Sequence, residues 1–398
     1  MMISRACLIG AYQSKLEAIA SYPDIELTVV VPAFWREGSR YLRLEQAHME
    51  GYQLIVAPVA WNGWFHLHHF PTVSSLLASV RPDLLHMEEE PYNLATYHAL
   101  RAARRVGVRT LFFSWQNLHR RYPWPFRQLE RWVHRAADAA IAGTEDAAQV
   151  LRRKGYEGTL RVIPQFGVDP NLFRPTSSEP GDHPWPSQGP GSRNGRSPFP
   201  FTIGYAGRLV PEKGLDTLME AMGTLSGDWR LLICGWGPWR RRMEHRLRRL
   251  GLSERVTFRE DVPASKMPAQ YAAMDVLVLP SRTRPNWKEQ FGRVLIEAMS
   301  CGVPVVGSNS GAIPSVIGDA GLVFPEGDAT ALHDHLAALM ADPNRRRALG
   351  AQGRQRVLER FTQEHIADQT VALYRALYQG DETAARPAGD GAVTSPGA

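Results

Sequence analysis

Short runs of apolar residues alternate with longer amphipathic stretches along the first half of the chain. The runs are too short for helices and rich in β-branched and aromatic residues, so each predicts a β-strand. Several stretches between them, such as residues 92–105 and 126–137, have the apolar spacing of an amphipathic helix. The predicted strands are residues 6–10, 26–32, 52–58, 83–87, 109–114, 139–143 and 160–164.

The second half of the chain repeats this alternation. Strands that are apolar throughout and alternate with helices are typical of parallel sheets covered by helices on both faces. Two such series predict an α/β protein with two Rossmann-like, doubly wound domains. The predicted strands of the second series are residues 201–207, 230–235, 255–260, 275–281, 303–308 and 321–325.

A segment rich in Pro, Gly and Ser, residues 174–199, separates the two series. It has too few apolar residues to order itself by burial, so it predicts a flexible linker. The N-terminal domain is then residues 1–173 and the C-terminal domain residues 200–360. A helical stretch follows at 361–380, and residues 381–398 are predicted to be a disordered tail because they are rich in Ala, Gly and Pro.

Composition narrows the class of protein only slightly. The 398 residues suit two domains, and the net charge of +6 favours anionic partners without choosing among them. Three widely spaced cysteines argue against a disulfide framework or a zinc motif and indicate a cytoplasmic protein. We find neither a signal-peptide pattern nor an apolar run long enough to span a bilayer, so membrane contact is expected only from the surface.

Two cations follow the first predicted strand of the second half, in GYAGRLVPEKGLD at residues 204–216. Ligands of open α/β sheets bind outside the carboxyl ends of strands, which is where Arg208 and Lys213 lie. Fixed cations at that place can stabilise the negative charge that develops on a leaving nucleoside diphosphate. Taken alone, the pair is equally compatible with exposed charges on a loop.

Gly235 and Gly237 follow the next strand and precede a helix. Glycines in such a turn let the backbone approach a ligand, although strand-to-helix turns use glycine in any case. Six arginines follow between Arg240 and Arg249, and a solvated helix face is their simpler interpretation.

Glu289 and Glu297 flank the start of a predicted helix near Phe291. Their separation along the chain is too large for the paired carboxylates of a retaining glycosidase, which lie about 5 Å apart. They can instead hold two hydroxyl-bearing parts of one ligand, with the amides of Phe291 to Val294 directed at the same place. For Glu297 alone, a solvated position on an amphipathic helix is the alternative. Asp328 in the later segment 321–332 is predicted to cap a helix.

These clusters together resemble the retaining glycosyltransferases of family four, also called glycosyl transferases group 1, which have the GT-B fold. The resemblance covers residues 200–375, and residues 163–173 resemble the inter-domain signature of that family. The matching positions are Gly207, Arg208, Lys213, Gly214, Gly235, Gly237, Pro280, Ser281, Glu289, Gln290, Phe291, Gly292, Glu297, Ala298, residues 302–306 and Gly311.

The resemblance implies two domains that face a cleft, with the C-terminal helix packing back on the N-terminal domain. It also implies a UDP- or GDP-linked sugar as co-substrate, with no further cofactor. Arg208 and Lys213 then contact the diphosphate, Glu297 the ribose, and Glu289 the donor sugar. The implied donor-binding residues are Gly207, Gly235, Gly237, Val262 at the base, Gln290, Phe291, Gly292, Arg293, Val294 and Glu297; Arg208, Lys213 and Glu289 are the implied catalytic residues.

The N-terminal half departs from the family pattern. Only Gly10 stands where members usually have two glycines, and Gln116 stands where many have a histidine. On this side we place the acceptor, whose identity stays open, with Glu88, Glu89 and Glu90 as further candidates. A solvated turn is an equal alternative for the three glutamates. The resemblance also implies retention by front-face attack, with the diphosphate helping as base, and Gln116, which cannot serve as a base, agrees with this expectation.

Other patterns carry less information. HLHH at 66–69 lies in an aromatic loop, and no Asp-x-Asp occurs, so we expect no metal. The segment 120–135 mixes arginines with aromatic residues, which fits either peripheral contact with an anionic membrane at its inner face or core aromatics with a charged outer face. Nucleic-acid binding needs a concentrated basic and aromatic face, which only residues 236–249 suggest, and no nucleic-acid partner is expected.

Three other classes were weighed against a glycosyltransferase acting in polysaccharide, glycolipid or cell-envelope synthesis. A dehydrogenase would carry Gly-x-Gly-x-x-Gly after its first strand, and ACLIGAYQSKLE at 6–17 lacks that motif. A nucleotide-sugar epimerase of the same fold stays open, as does a non-catalytic nucleotide-sugar-binding protein. Transfer to an added acceptor separates the enzyme from both.

Overall fold

The computed structural model describes residues 1–38, 40–175 and 200–380. The predicted tail at 381–398 and all but two residues of the predicted linker at 174–199 lie outside this description. The described chain divides into two compact units. Unit 1 is Met1–Gln165 together with the chain from Ile366 onward, and unit 2 is Phe166–His365. The first division therefore falls eight residues before the predicted domain end at 173.

Unit 1 is built on a seven-stranded parallel sheet with strand order β5-β2-β1-β6-β7-β8-β9. Its strands, together with the separate hairpin β3–β4, are β1 Met2–Ile3, β2 Thr28–Val31, β3 Phe34–Glu37, β4 Arg40–Arg43, β5 Gln53–Val56, β6 Leu84–Met87, β7 Arg109–Ser114, β8 Ala139–Ala142 and β9 Thr159–Val162. Its first five helices are α1 Ser14–Ala20, α2 Val73–Val80, α3 Leu94–Arg105, α4 Phe126–Ala136 and α5 Glu145–Arg153.

Two details of unit 1 differ from the sequence prediction. The first strand is Met2–Ile3 and not residues 6–10, whose positions Ala6–Leu8 and Gly10–Tyr12 form short 3-10 turns. The apolar character of 6–10 arises because Cys7 and Leu8 are buried within a turn. The antiparallel hairpin β3–β4 was not predicted, because its residues are mostly exposed and show no apolar alternation.

The last helix, α13 (Gln363–Gln379), completes the core of unit 1. Its buried side chains Ile366, Val371 and Tyr374 share one apolar cluster with Leu16 of α1 and Phe113 of β7. The prediction that the C-terminal helix packs on the N-terminal domain is confirmed. Burial of apolar surface is the driving force for this return of the chain.

Unit 2 is built on a six-stranded parallel sheet with strand order β12-β11-β10-β13-β14-β15. Its strands are β10 Phe201–Ala206, β11 Trp229–Cys234, β12 Val256–Arg259, β13 Val276–Leu279, β14 Val305–Ser308 and β15 Leu322–Phe324. Its helices are α6 Leu215–Thr224, α7 Arg240–Arg249, α8 Met267–Ala272, α9 Arg293–Ser300, α10 Ile313–Ile317, α11 Ala329–Ala341 and α12 Pro343–Arg360.

The central strands of unit 2 are buried on both faces, as continuous apolar runs require. All residues of β10, β13 and β14 are buried. The predicted cap of α11 is confirmed, because the Asp328 carboxylate accepts a hydrogen bond from the amide of Ala331 at 2.9 Å. The α/β class with two Rossmann-like parallel sheets is therefore as predicted. No helix in the described part of the chain has both the length and the apolarity to cross a membrane.

Candidate active site

The turn after β10 carries the two predicted cations of unit 2. Arg208 is exposed, and its carbonyl accepts a hydrogen bond from the buried Tyr205 hydroxyl at 2.8 Å. The chain then forms a 3-10 turn ending at Lys213, and Gly214 in a left-handed conformation opens α6. A Cβ on Gly214 would lie 1.8 Å from the carbonyl oxygen of Pro280. The turn is thus joined tightly to the loop after β13.

Gly235 and Gly237 let the turn after β11 pack closely against the turn after β10. A Cβ on Gly235 would lie 1.9 Å from the Gly207 carbonyl oxygen, and one on Gly237 would lie 2.4 Å from that of Leu209. The glycines therefore permit close contact between the turns after β10 and β11. This contact holds Arg208 in place. The sequence ascribed these glycines to ligand approach, and the structure gives them this packing role as well.

Glu289 meets Lys213 at the edge where β10 and β13 end. The Lys213 ammonium lies 2.6 Å from the Glu289 carboxylate, which also accepts a hydrogen bond from the Ser281 hydroxyl at 2.7 Å. The Trp287 ring centroid lies 5.1 Å from the same ammonium. Both charged side chains keep a small exposed area, 14% for Lys213 and 8% for Glu289. The pair is close to neutral in itself and still reachable from solvent.

The backbone of Glu289 is as closely fixed as its side chain. Its carbonyl oxygen accepts a hydrogen bond from the amide of Ala312 at 3.2 Å. Gly311 has φ +54°, and a Cβ there would lie 2.0 Å from that oxygen. Only glycine lets the two loops approach so closely. Ser308 adds a hydrogen bond to the Ser281 carbonyl at 2.5 Å.

Glu297 lies one turn into α9, separately from the Lys213–Glu289 pair. Its carboxylate accepts a hydrogen bond from the buried Tyr271 hydroxyl at 2.7 Å and forms an ion pair with Arg293 at 2.9 Å. Burial, followed by the charge of Glu297, raises the pKa of Tyr271 far above its ordinary value, so Tyr271 acts as a donor. Glu297 is therefore pre-oriented rather than solvated on a helix face.

The remaining predicted donor residues surround the start of α9 or follow β12. The helix begins at Arg293, two residues later than expected, after Gly292 in a left-handed conformation. Phe291 is buried against Phe361 at a centroid distance of 5.8 Å, whereas Gln290 is exposed. The amides of Arg293 and Val294 lie in the first helical turn, whose N–H groups have no partner within the helix. Val262 is half-buried in the loop after β12.

Of the three glutamates after β6 in unit 1, Glu88 and Glu89 are buried and Glu90 is half-buried, and the protein itself supplies partners for all three. Glu88 forms an ion pair with Lys15 and accepts a hydrogen bond from Ser4 at 2.7 Å. Burial alone would raise the pKa of Glu88, but the Lys15 ammonium lowers it below its ordinary value. Glu89 forms an ion pair with Arg5 at 3.0 Å.

Glu90 forms no ion pair with a cation of the described residues, although the Lys154 ammonium lies near enough to lower its pKa slightly. Its two carboxylate oxygens accept hydrogen bonds from the Ser114 hydroxyl at 2.7 Å and the Trp115 amide at 2.8 Å. Burial raises the pKa of Glu90 to about 7 in spite of these two donors. In Glu89, by contrast, the Arg5 guanidinium outweighs the effect of burial and lowers the pKa to about 2. The solvated turn that the sequence left open for these residues is not what the structure shows.

Gly10 and Gln116, the other acceptor-side candidates, also have partners within unit 1. The Gly10 amide donates to the Glu45 carboxylate at 2.6 Å. The Gln116 side-chain oxygen accepts a hydrogen bond from the Lys154 ammonium at 3.0 Å. Lys154 in turn pairs with Glu130 at 2.5 Å. The structure brings Gln116 into a buried polar network whose members the sequence did not connect.

Several partners of the predicted residues were missed at the sequence level. Ser281 was part of the resemblance but received no role there, and Trp287 and Tyr271 gave no signal. Lys15 interrupts an apolar helix face, which could have indicated a buried partner. Within residues 1–38, 40–175 and 200–380, no three His, Cys, Asp or Glu side chains are grouped so that they could hold a metal ion.

Comparison with known proteins defines the class of this chain. Residues 193–356 match the family model of the glycosyl transferases group 1, and residues 23–172 match that of glycosyltransferase family 4. The chain is 30% identical over 370 residues to the GDP-mannose-dependent alpha-(1-6)-phosphatidylinositol monomannoside mannosyltransferase of Mycolicibacterium smegmatis. That alignment covers 88% of this chain and 91% of the relative.

Solved structures support the same fold. A sucrose-phosphate synthase from Thermosynechococcus elongatus superposes with a TM-score of 0.73 at 23% identity, covering 96% of this chain and 99% of that one. HepE from Anabaena in complex with UDP gives a TM-score of 0.71 at 19% identity, covering 94% and 99%. The fold is thus GT-B. The chain belongs to glycosyltransferase family 4, and it is an enzyme that transfers a glycosyl group.

Proposed function

We propose that unit 2 binds a nucleoside diphosphate sugar and that Arg208 and Lys213 stabilise the departing diphosphate. The observation that carries this proposal is the cluster of Lys213, Glu289 and Ser281 at the carboxyl edge of a parallel sheet. Ligands of such sheets bind at this edge. In the absence of ligand, Glu289 holds the Lys213 ammonium in place, so little reorganisation is needed when negative charge develops nearby.

The other unit 2 residues supply recognition. Glu297, oriented by Tyr271 and Arg293, accepts hydrogen bonds from ribose hydroxyls, and the first-turn amides of α9 face the donor's anionic or hydroxyl groups. The carbonyl and amide of the half-buried Val262 contact the base. Glu289 contacts the donor sugar through its carboxylate.

The reaction keeps the anomeric configuration of the donor sugar. The bond between the anomeric carbon and the diphosphate oxygen breaks, and the electron pair stays with the diphosphate. The acceptor hydroxyl attacks from the same face and its proton passes to a diphosphate oxygen. Neither Glu289 nor Glu297 is free to act as a base, since each is engaged by a cation and a hydroxyl donor.

A GDP- or UDP-linked hexose is the donor class that we propose. The relative from Mycolicibacterium smegmatis is described as GDP-mannose-dependent, which favours GDP over UDP as the nucleotide of the donor. The acceptor is offered by unit 1 and belongs to polysaccharide, glycolipid or cell-envelope synthesis. We place the enzyme in the cytoplasm, in peripheral contact with the inner face of the membrane. Family membership favours transfer over the epimerase and non-catalytic alternatives.

A thermal-shift panel tests donor binding. The full chain is heated with GDP-mannose, UDP-glucose, UDP-galactose, or the matching nucleoside monophosphates as controls. One diphosphate sugar should raise the melting temperature because it binds only the folded state. The shift should disappear in a Glu297→Gln, Arg208→Ala double variant. No shift with any diphosphate sugar would contradict the proposed donor site.

The stereochemistry of the product tests the mechanism. Starting from an α-linked donor identified in the panel, NMR of the one-bond carbon–proton coupling at the anomeric carbon should show an α-linked product. Product from an Arg248→Ala variant provides the control, because this exposed residue of α7 should not affect the configuration. A β-linked product would contradict both the front-face mechanism and the roles given to the two glutamates of unit 2.

A further inference from the structure

A group of large apolar side chains stays exposed on unit 1. Trp124 is 75% exposed, Trp64 60% and Trp61 56%, although indole rings are usually more than half buried. The tryptophans lie in or beside turns, and further exposed apolar residues come from the hairpin β3–β4 and the neighbouring loop. The whole group is Phe34, Tyr41, Leu42, Trp61, Trp64, Phe65 and Trp124.

The three segments that carry these residues adjoin one another. The Asn62 side chain donates to the Phe34 carbonyl at 2.8 Å and accepts from the Arg36 amide at 2.9 Å, which ties the loop to the hairpin. The His66 ring lies 5.3 Å from the Phe126 ring and 6.0 Å from the Tyr122 ring, which ties the same loop to residues 119–127. We call the surface formed by residues 34–38, 40–43, 61–66 and 119–127 the aromatic–arginine face.

The charged residues of this face are almost all basic. Its segments contain six arginines and one glutamate, Glu37. Each arginine is exposed, so its guanidinium is within reach of an anionic surface. These residues are Arg36, Arg40, Arg43, Arg120, Arg121 and Arg127.

The face is anchored to the strand edge of unit 1. The Arg5 guanidinium lies 4.5 Å from the Trp35 ring centroid and 5.1 Å from that of Phe65. The same guanidinium pairs with Glu89 at the end of β6. Trp35 itself is buried and packs on His68 at 4.9 Å. A rigid base therefore connects the exposed rings with the edge of the sheet on which the acceptor is proposed.

We propose that the aromatic–arginine face docks on the surface of an anionic lipid bilayer. Tryptophan and tyrosine rings favour the boundary between acyl chains and head groups, because one end of each ring system is apolar and the other is polar. Arginines beside them pair with lipid phosphates while their stems cover apolar surface. Aromatic rings that lie in turns can enter the soft boundary between head groups and acyl chains more readily than they can fill the grooves of a rigid protein partner.

This surface differs from the one that the sequence indicated. The segment 120–135 was the candidate there, yet Trp132 of α4 is half-buried and packs on Tyr97 at 4.9 Å. Only the loop before α4 contributes an exposed tryptophan. The hairpin and the loop at 61–66 supply the rest, and neither was considered from the sequence.

The inference also narrows the acceptor class, and in this respect it rests on the proposed function. A bilayer docked beside the strand edge of unit 1 would present molecules whose apolar end stays in the membrane. The acceptor hydroxyl then belongs to the head group of an amphiphile rather than to a free sugar.

Vesicle sedimentation with the full chain tests the docking. The protein is mixed with vesicles of phosphatidylcholine, or of phosphatidylcholine and phosphatidylglycerol in equal amounts, without any donor. We compare the wild type with a Trp61→Ser, Trp64→Ser, Trp124→Ser variant and an Arg36→Gln, Arg40→Gln, Arg120→Gln variant. Two control variants change exposed residues elsewhere on the protein. One combines Val106→Ser with Leu358→Ser at apolar positions, and the other combines Arg241→Gln with Arg248→Gln on α7.

The wild type should sediment with the anionic vesicles and far less with the neutral ones. The arginine variant should bind them about a hundredfold more weakly, because each basic residue near an anionic surface contributes roughly a factor of five. The tryptophan variant should bind the anionic vesicles at least about tenfold more weakly than the wild type. All variants should keep their melting temperature, since the changed side chains are exposed, and both controls should bind like the wild type.

Three results would overturn the proposal. The first is a wild type that does not bind anionic vesicles, and the second is variants of the face that bind as well as the controls. The third is a dimer in light scattering that the tryptophan variant dissociates without vesicle binding, which would assign the face to a second copy of this chain. A Lys213→Ala variant separates the two proposals, because it should lose glycosyl transfer and keep vesicle binding.

Discussion

The carboxyl-end edges of the two sheets both carry paired charges, but the pairs are accessible to different degrees. At the edge of unit 1, Lys15 and Glu88 have side chains 3% and 1% exposed. At the edge of unit 2, Lys213 and Glu289 are 14% and 8% exposed, and the same loop carries the exposed Arg208. A charged pair at a strand edge therefore does not by itself indicate a binding site. The access of its cation to a ligand is the distinguishing property.

From this difference we infer that the first pair contributes to stability, and we propose that the second pair takes part in ligand binding. A buried ion pair is costly to break, because the remaining charge has neither water nor a partner. A pair near the surface can exchange its partner for a phosphate at lower cost.

The largest effect is expected from Lys15→Met. It leaves the Glu88 carboxylate buried without its cation and should lower the free energy of unfolding by about 3–5 kcal/mol. The double variant Lys15→Met, Glu88→Gln should regain a large part of that loss. Denaturant unfolding of the three proteins measures both. A small effect of Lys15→Met would show that the ion pair of unit 1 can be broken as easily as the ion pair of unit 2.

Lys213→Ala and Arg208→Ala should act on turnover instead. Each removes a cation directed at the leaving diphosphate and should lower kcat by about a hundredfold or more. The melting temperature should fall less than it does in Lys15→Met. Steady-state kinetics with the donor found by thermal shift measure the change, with Arg248→Ala on α7 as the matched control. Unchanged turnover in both variants would remove the donor-site assignment.

Glu89 and Glu90, neighbours in sequence, should respond to pH with opposite signs. The pKa of Glu90 is raised to about 7, so its charged form opposes folding at higher pH, and Glu90→Gln should stabilise the protein above pH 7. The pKa of Glu89 is lowered to about 2, so its stabilising contribution is present above its ordinary value of 4.5 and lost as pH falls toward 2. Glu89→Gln should therefore destabilise at pH 8.

Each effect is expected to be on the order of 2 kcal/mol. Unfolding free energies of the wild type and both variants at pH 5 and pH 8 provide the comparison. The stabilisation by Glu90→Gln should be much smaller at pH 5, where the wild-type residue is already protonated in the folded state. The same sign for both variants at pH 8 would contradict the opposite environments described for the two carboxylates.

The smallest effect is expected from chelation. If Arg208 and Lys213 neutralise the leaving group, activity should stay the same in EDTA. The assay compares turnover before and after EDTA treatment, with manganese or magnesium added back. A loss restored by either ion would show that the unit 2 cations do not suffice.

The sequence by itself determined the fold class and most of its elements. Apolar runs at β10, β13 and β14 predicted buried parallel strands, because a strand that is covered on both faces is apolar at successive positions. The same logic placed Arg208, Lys213 and Glu289 after strand ends, where open sheets bind ligands. It failed for β1, since two residues are too few for any periodicity, and for the exposed hairpin β3–β4.

The tertiary structure decided which charges are paired and which aromatic rings are exposed. Lys15 and Glu88 lie 73 positions apart, and Lys213 and Glu289 lie 76 apart, so no local pattern could connect them. Trp124 and Trp132 had the same interpretation in the sequence, yet one is exposed and the other packs on Tyr97. Local spacing sets which face a residue occupies, whereas its burial depends on the distant elements that the chain folds against that face.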